Sequence, residues 1–156
     1  MQRPWNRPSL PVYSVSSLNE EKGNMNIATY VTAISMQPKR YIVGLYKNTK
    51  TLANVQAYPK FLLQLLSADQ YKVVKLLGQT SGFQHDKIQR IREPISTFHE
   101  FPYLVNSCAI VLCQVLSSVD AGDHIAFLCD VTAYKNLNDS PLLTTGFLRD
   151  KKIIRA

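Results

Sequence analysis

Two long apolar segments in the last third of the chain limit the folds that the sequence allows. Residues 107–119 (SCAIVLCQVLSSV) and 124–134 (HIAFLCDVTAY) have the β-branched and apolar content of strands, and the intervening DAGD is typical of a hairpin turn. Apolar residues occupy both faces of each segment. Because such strands need cover on two sides, we expect the hairpin to curl round a filled interior, with helices or another subunit packed outside it.

The first half of the chain adds shorter segments with the composition of strands. Residues 12–17 (VYSVSS) and 26–35 (NIATYVTAIS) flank NEEKGN, a sequence with turn chemistry, and they predict a second hairpin. Residues 41–46 (YIVGLY) and 61–66 (FLLQLL) predict two more strands. Strands therefore dominate the predicted fold.

Two helices are predicted between these strands. Residues 51–59 (TLANVQAYP) are expected to be helical until Pro59 stops them. Residues 67–77 (SADQYKVVKLL) begin with a capping box, and Gly78 follows where the helix should end. The predicted fold class is mainly β with inserted helices, in which antiparallel strands form a closed or half-closed barrel.

The size and composition of the chain fit one domain. With 156 residues and 46% hydrophobic residues, the chain can bury a core. Three prolines make residues 1–11 an irregular lead-in, so the predicted domain covers residues 12–156. No apolar run has the roughly 20 residues that a bilayer-spanning helix needs, and the start of the chain lacks the apolar core of a signal peptide. We expect a cytoplasmic protein with no membrane partner.

The net charge of +7 indicates an anionic partner. From Lys22 to Ala68 the sequence has no Asp or Glu, although it has several basic residues. These are Lys22, Lys39, Arg40, Lys47, Lys50 and Lys60. The absence of a long Lys/Arg run, a helix-turn-helix or a zinc finger argues against nucleic acid and favours a small phosphorylated ligand.

Residues 47–55 (KNTKTLANV) gather two Lys and two Thr at the start of the first predicted helix. The first amides of a helix lack intrahelical partners, and the helix dipole favours an oxyanion beside them. Thr49 and Thr51 can donate hydroxyl groups, and Lys47 and Lys50 add positive charge with no competing carboxylate expected nearby. The alternative is that Thr49 or Thr51 simply caps the helix.

No set of residues indicates acid–base, nucleophilic or metal chemistry. The three histidines are scattered and lack the spacing of metal ligands. Cys113 lies in an apolar strand, and the three cysteines together are interpreted as reduced core thiols. Glu20 and Glu21, like Asp120 and Asp123, lie in predicted turns, where solvated acids are usual. We expect no catalytic side chain and no metal site.

An ordered set of motifs resembles the flavin reductase-like, FMN-binding split-barrel family. The motifs are NMNIATYVTAIS, KNTKT before a short helix, SGFQHDK, and then LCQV and AGDH on successive strands. The resemblance covers the chain from about Val12 to Leu148. It implies a six-stranded antiparallel split β-barrel that forms a homodimer and holds FMN near the subunit interface.

The resemblance also implies which residues would bind the cofactor. An extended segment would line the isoalloxazine largely through main-chain groups, the helix start would receive the FMN phosphate, and the SGFQHDK loop would lie near the flavin. The residues lining the isoalloxazine would be Asn26, Ala28, Thr29, Tyr30 and Val31. Those at the phosphate would be Lys47, Asn48, Thr49 and Thr51, and those of the loop near the flavin would be Ser81, Gly82 and Lys87.

His124 matches a Gly-Asp-His motif of the family. The resemblance implies that its imidazole lies near the flavin or a nicotinamide, where it could contact the nicotinamide or tune the redox potential. The alternative is that His124 only hydrogen-bonds the hairpin turn.

The family resemblance implies an NAD(P)H-dependent reductase of flavin or another small acceptor. A hydride would pass from the nicotinamide to flavin N5, a step that requires no acid–base residue. FMN is expected rather than FAD, with NAD(P)H as co-substrate and a small molecule as acceptor. One alternative is an FMN-binding electron-transfer or storage module without nicotinamide-dependent activity. A more distant alternative is a basic nucleic-acid-binding barrel.

Overall fold

Strands make up most of the regular structure in the computed structural model, which describes residues 1–20 and 22–155. Glu21 of the predicted turn and Ala156 at the end of the predicted domain lie outside the described residues. The strands are β1 (Tyr13–Asn19), β2 (Lys22–Ala28), β3 (Val31–Met36), β4 (Lys39–Tyr46), β5 (Lys60–Leu65), β6 (Ile95–Phe98), β7 (Phe101–Leu104), β8 (Ala109–Asp120) and β9 (His124–Asn136). The helices are α1 (Lys50–Ala57), α2 (Val73–Gln79) and α3 (Thr145–Asp150), with short 3-10 helices at Pro4–Asn6, Ala68–Lys72 and Ile88–Arg90.

The main sheet is antiparallel and has the strand order β2-β1-β5-β8-β9-β4-β3. Strands β2 and β3 follow each other in the chain but lie at opposite ends of this sheet. The sheet curls so that β2 contacts β4, and the Gly44 N–H donates to the Tyr30 carbonyl at 2.8 Å. The sheet therefore forms a barrel that stays open along the free edge of β2, which is a split barrel. This confirms the predicted fold class.

The number of strands differs from the expected six. The main sheet has seven strands, and β6 and β7 form a separate two-stranded sheet. One reason is that residues 26–35 were expected to form one strand, whereas the chain leaves β2 after Ala28 and joins β4 as β3. Strands β6 and β7 were not predicted from the sequence. Each has four residues, and β7 includes Pro102.

Both predicted hairpins are present. Strands β8 and β9 pair over most of their length, and Gly122 takes a left-handed φ of +95° in the turn between them. Strands β1 and β2 pair from Tyr13↔Ala28 to Asn19↔Lys22, so the turn between them is shorter than NEEKGN. The long β8–β9 hairpin lies between β5 and β4 and thus forms one wall of the barrel.

The first predicted helix is confirmed as α1, and the second is only partly confirmed. Residues 68–72 form a 3-10 helix before α2 begins at Val73. The capping box is present, because the Gln70 side chain accepts a hydrogen bond from the Ser67 amide at 2.9 Å. The expectation that Gly78 ends the helix is wrong, since α2 continues to Gln79.

The barrel interior is filled by buried apolar side chains, including Val43, Phe61 and Phe127, and α1 packs Leu52 and Val55 against them. A second cluster joins α2 and α3 to β2 on the outside of the barrel. All three cysteines are buried and free, which confirms the interpretation as core thiols. In the described part of the chain, the helices are too short and too polar to cross a bilayer.

Candidate functional site

A cleft of about 320 Å³ lies between β2, the start of α1 and the segment that follows α2. We call it the main cleft. Several of the predicted cofactor residues line it: Asn26, Asn48, Thr49, Thr51, Ser81, Gly82 and Lys87. Lys50, which was expected to add positive charge at the helix start, also lines the cleft. The other lining residues were not predicted from the sequence: Asn24, Ile27, Tyr46, Leu77, Gly78, Gln79 and Thr80. The fold thus brings together segments that are separated by some 60 residues of sequence.

Thr49 is the N-cap of α1. Its hydroxyl oxygen accepts from the Leu52 amide at 3.2 Å, and the same hydroxyl donates to the Tyr46 carbonyl at 2.8 Å. The capping alternative is therefore confirmed for Thr49. The cap takes one of the free amides of the first turn, and within the described residues the Lys50 and Thr51 amides have no acceptor.

Thr51 has a different partner from Thr49. It is 1% exposed, and its hydroxyl oxygen accepts from Asn24 Nδ2 at 3.1 Å. A threonine hydroxyl both accepts and donates, so the Thr51 hydrogen stays available to a ligand in the cleft. Asn48 precedes the cap with a left-handed φ of +61°, a conformation that Asn tolerates better than most residues. Together these residues aim main-chain and hydroxyl donors at the main cleft.

Lys47 does not line the main cleft. Its ammonium group pairs with Asp120 Oδ2 at 2.8 Å, and its amide donates to the Asp123 carbonyl at 2.9 Å. The hydrogen bond from Lys47 also holds the pKa of Asp120 below its usual value. The expectation that no carboxylate lies near Lys47 is wrong, because β4 pairs with β9 and brings the hairpin turn to the end of β4.

Lys50 supplies positive charge at the cleft instead. Among the described residues, no carboxylate lies within salt-bridge distance of its ammonium group. Its Nζ lies 5.6 Å from the centroid of the Phe83 ring. The sequence signal for Lys50 was present in KNTKT, but nothing there distinguished it from Lys47.

Lys87 is the most deeply buried lysine of the cleft. It is 4% exposed, and its Nζ donates to the Leu77 carbonyl at 2.8 Å. Burial lowers the pKa of Lys87 from 10.5 to about 8, because the charged form loses hydration. The ammonium group is still charged at neutral pH, and an anion bound nearby would stabilise that charge, so this site favours a negatively charged ligand.

Gly82 fixes the segment that closes the main cleft. A Cβ atom at this position would overlap Asn24 Oδ1 and would lie 2.9 Å from Lys50 Cβ. Ser81 next to it accepts from the Phe83 amide at 3.2 Å, which shapes the turn. Glycine at 82 is thus required for the segment to lie directly against β2 and α1.

Asn26 lines the main cleft and carries an unsatisfied polar atom. Its Oδ1 is buried, and no hydrogen-bond partner is found for it in the described part of the chain. Buried polar groups without partners are uncommon, so this amide needs a ligand or water. Because β2 is the end strand of the sheet, one edge of its main chain is also unpaired by other strands. These groups fit the alternating donors and acceptors at the polar edge of a flavin.

The remaining predicted residues lie in the connection from β2 to β3 and beside it. Ala28 is buried in the barrel core and Val31 packs against that core, so only their main-chain groups can face a ligand. Thr29 is half-buried, whereas Tyr30 is 58% exposed. None of these four lines the main cleft.

His124 lies in a cluster of aromatic rings. Its ring centroid is 5.0 Å from that of Tyr30 and 5.2 Å from that of Tyr46, which lines the main cleft. His124 Nδ1 lies 2.7 Å from Asp123 Oδ1, the hydrogen bond to the turn that the hairpin alternative expects. His124 therefore lies one side chain away from the main cleft.

The site offers ligand-binding groups rather than a catalytic set of side chains. Within residues 1–20 and 22–155, no group of three or more His, Cys, Asp or Glu is placed to hold a metal ion. The main cleft instead combines a helix start, two lysines and a polar strand edge. That arrangement can bind an anion joined to a flat polar ring.

A family model and a curated relative match the sequence of this chain. The family model described as flavin reductase like domain matches residues 5–147. An uncharacterized protein of Pyrococcus abyssi is 26% identical over 122 residues, which are 78% of this chain and 71% of that protein.

Solved structures share the fold. An FMN-binding protein from Thermus thermophilus superposes with a TM-score of 0.78 at 23% identity, over 87% of this chain and 75% of that one. The NADH:FAD oxidoreductase SgcE6 of Streptomyces globisporus superposes with a TM-score of 0.82 at 18% identity, over 91% of this chain and 84% of that one. At these identities the likeness is one of fold alone.

Proposed function

Because the chain belongs to the flavin reductase like domain family, we propose that it binds FMN and acts as an NAD(P)H-dependent reductase of flavin or another small acceptor. The observation that carries this proposal is the main cleft. There Asn26, whose buried Oδ1 has no partner among the described residues, lines the same cleft as the start of α1, where the Lys50 and Thr51 amides have no acceptor in that part of the chain. A flavin mononucleotide has a polar ring edge and a phosphate to match them.

The phosphate would be held at the start of α1. The Lys50 and Thr51 amides and the Thr51 hydroxyl are donors, and the helix dipole favours a negative charge there. Lys50 in α1 and Lys87 in the segment after α2 supply positive charge to the main cleft. Lys47, which pairs with Asp120, and Thr49, which caps the helix, would act by shaping this region rather than by direct contact.

The ring would be oriented by β2 and the residues that follow it. Asn26 offers its side-chain amide, and the edge of β2 offers main-chain donors and acceptors. When bound, the flavin supplies the redox chemistry, since it can take a hydride at N5 from a reduced nicotinamide. The protein then needs to bind and orient its ligands, which fits a site without an acid–base pair. His124 would contact this region through Tyr46.

The proposal includes a homodimer in the cytoplasm. Strand β3 ends the sheet with Ile34 and Met36 exposed at 51% and 90%, and Leu116 and Val119 are exposed on β8. Exposed large apolar side chains, two of them on an end strand of the sheet, favour a second copy of the chain as partner. The three free, buried thiols support a reducing compartment.

An anaerobic spectral titration tests the function directly. Purified protein is mixed with FMN, separated from free flavin, and then titrated with NADH or NADPH in the absence of oxygen. We expect a yellow protein whose visible absorbance bleaches with one of the two nicotinamides. Protein that retains no FMN rules out the proposal, whereas FMN binding without bleaching indicates the carrier or storage alternative.

A further inference from the structure

A cavity of about 430 Å³ opens at the end of the barrel that lies away from the β8–β9 turn. We call it the barrel mouth. The start of β4 lines it together with a row of residues paired across four neighbouring strands, namely Tyr13, Leu65, Ala109 and Asn136. Among the described residues, none lines both the barrel mouth and the main cleft. A ligand in the barrel mouth would therefore be separate from the flavin proposed above.

The wall of the barrel mouth is apolar. Leu65, Val111 and Val131 line it, and all three are half-buried. Tyr13, Tyr41 and Val111 also pack against the apolar core of the barrel, so the cavity ends on that filled interior. Apolar cavities at the mouths of β-barrels are typical sites for small ligands. The barrel mouth can thus hold the apolar body of a small molecule.

Two tyrosine hydroxyls add polar groups to this apolar wall. Burial, and to a lesser extent the neighbouring Tyr41, raises the pKa of Tyr13 to about 12, and burial also raises the pKa of Tyr41. Both phenols therefore keep their protons at neutral pH and can donate hydrogen bonds. In the described part of the chain neither hydroxyl has a hydrogen-bond partner, whereas the Tyr58 hydroxyl donates to Glu100 at 3.1 Å. Because buried tyrosine hydroxyls usually have a partner, these two favour a ligand with acceptor atoms.

The rim of the barrel mouth is positively charged. Lys39 is exposed there, and among the described residues no carboxylate lies within salt-bridge distance of its ammonium group. The described lining residues include neither Asp nor Glu. An ammonium group and two phenol donors beside an apolar wall match a carboxylate that is joined to an apolar body.

We propose that the barrel mouth binds a small carboxylate with an apolar body, which accepts hydrogen bonds from Tyr13 and Tyr41 and pairs with Lys39. The apolar body would lie against Leu65 and Val111. It is an aliphatic chain or an aromatic ring, since branched aliphatic side chains and tyrosine rings form the wall together. This binding site does not depend on the proposed function, because it uses none of the flavin-binding residues.

Calorimetric titration of the purified protein with octanoate and with benzoate tests this inference. We expect saturable binding at one site per chain, with a dissociation constant of about 1 mM or lower for at least one of these probes. The tighter probe identifies the apolar body as a chain or a ring. The matching neutral compound, 1-octanol or benzyl alcohol, should bind more weakly because it cannot pair with the ammonium group of Lys39.

Variants of the lining show whether the probe lies in the barrel mouth. Tyr13→Phe removes one hydroxyl, keeps the ring, and should weaken binding of the tighter probe about tenfold. Lys39→Gln should weaken it about threefold, because an exposed ammonium group contributes less, and should leave the affinity for the neutral compound unchanged. Tyr58→Phe is the matched control, since it removes a tyrosine hydroxyl outside the barrel mouth and should not change the affinity.

Three results would overturn the inference. The first is the absence of saturable binding of either probe up to about 10 mM, which includes the case of a partner subunit that covers the barrel mouth. The second is equal affinity of the wild-type protein and Tyr13→Phe for the tighter probe, with Tyr41→Phe measured instead if circular dichroism shows that Tyr13→Phe is unfolded. The third is displacement of FMN by the tighter probe, which would assign the probe to the main cleft and leave the proposed function intact.

Discussion

Thr49 and Thr51 lie two residues apart, but their hydroxyl groups have separate roles. Thr49 both donates and accepts within the chain, whereas the Thr51 hydroxyl accepts from Asn24 and has no acceptor for its hydrogen among the described residues. Local sequence rules predicted that a threonine caps this helix, because a cap depends on residues next to each other. They could not tell which threonine would face a ligand, since that depends on Asn24, 27 residues earlier in the chain.

Replacement of Thr51 with Val should weaken FMN binding about tenfold, because one hydrogen bond to a charged phosphate is lost. Riboflavin, which lacks the phosphate, should bind the variant and the wild-type protein with similar affinity. Thr51→Ser keeps the hydroxyl and should restore FMN binding. Fluorescence titrations with both ligands measure the difference, and an equal loss for riboflavin would contradict a phosphate contact.

Thr49→Val is the matched comparison. It removes the N-cap of α1 and should lower the free energy of unfolding by about 1 kcal/mol. Urea denaturation measures this change. We expect a smaller effect on FMN affinity than in Thr51→Val, since the Thr49 hydroxyl already donates its hydrogen to the Tyr46 carbonyl and has none left for a phosphate.

The pKa of Lys87 predicts a pH dependence of FMN binding. Burial lowers this pKa to about 8, so the ammonium group is charged below pH 8 and loses its proton above it. FMN affinity should therefore fall between about pH 7.5 and 9.5, a range above the phosphate pKa of about 6. Lys87→Met should bind FMN more weakly at pH 7 and show a flat profile over the same range. If the affinity of the wild-type protein for FMN is also independent of pH over this range, Lys87 does not contribute to phosphate binding.

At the scale of elements, the segment after α2 acts as one wall of the main cleft. It lies against β2 and α1 because Gly82 has no side chain.

The long strands of the β8–β9 hairpin were predictable because their pattern is local and continuous. Strands β6 and β7 were not, since four-residue strands with a proline carry too little pattern. The pairing of Lys47 with Asp120 could not be predicted either, because the two residues are 73 positions apart in the sequence.

Gly82→Ala should displace this segment, because the added methyl group overlaps Asn24 Oδ1. We expect weaker FMN binding and a loss of about 1–3 kcal/mol in the free energy of unfolding. Gly122→Ala provides the control: its added methyl has open space around it, but its φ of +95° strains any other residue. That variant should lose stability without losing FMN affinity. Equal binding by wild-type protein and Gly82→Ala would show that the main cleft does not need this close contact.

At the scale of the whole molecule, the proposed dimer predicts a response to charge on β3. The double variant Ile34→Asp, Met36→Asp places two carboxylates on an exposed apolar edge and should convert a dimer to a monomer. Light scattering after size-exclusion chromatography measures the mass. Leu142→Asp, at a 42% exposed apolar position that belongs to neither β3 nor β8, should leave the mass unchanged. A wild-type protein that is monomeric at micromolar concentration contradicts the proposed dimer.

The split in the barrel has a consequence for the protein before it binds flavin. In the described residues, the end strands β2 and β3 each have a neighbour in the sheet on one side only, and the free edge of such a strand can pair with strands of other molecules. A bound flavin would cover part of one of them, and a partner subunit would cover the other. Aggregation of the empty protein should therefore compete with its assembly, so that riboflavin supplied during expression raises the soluble yield.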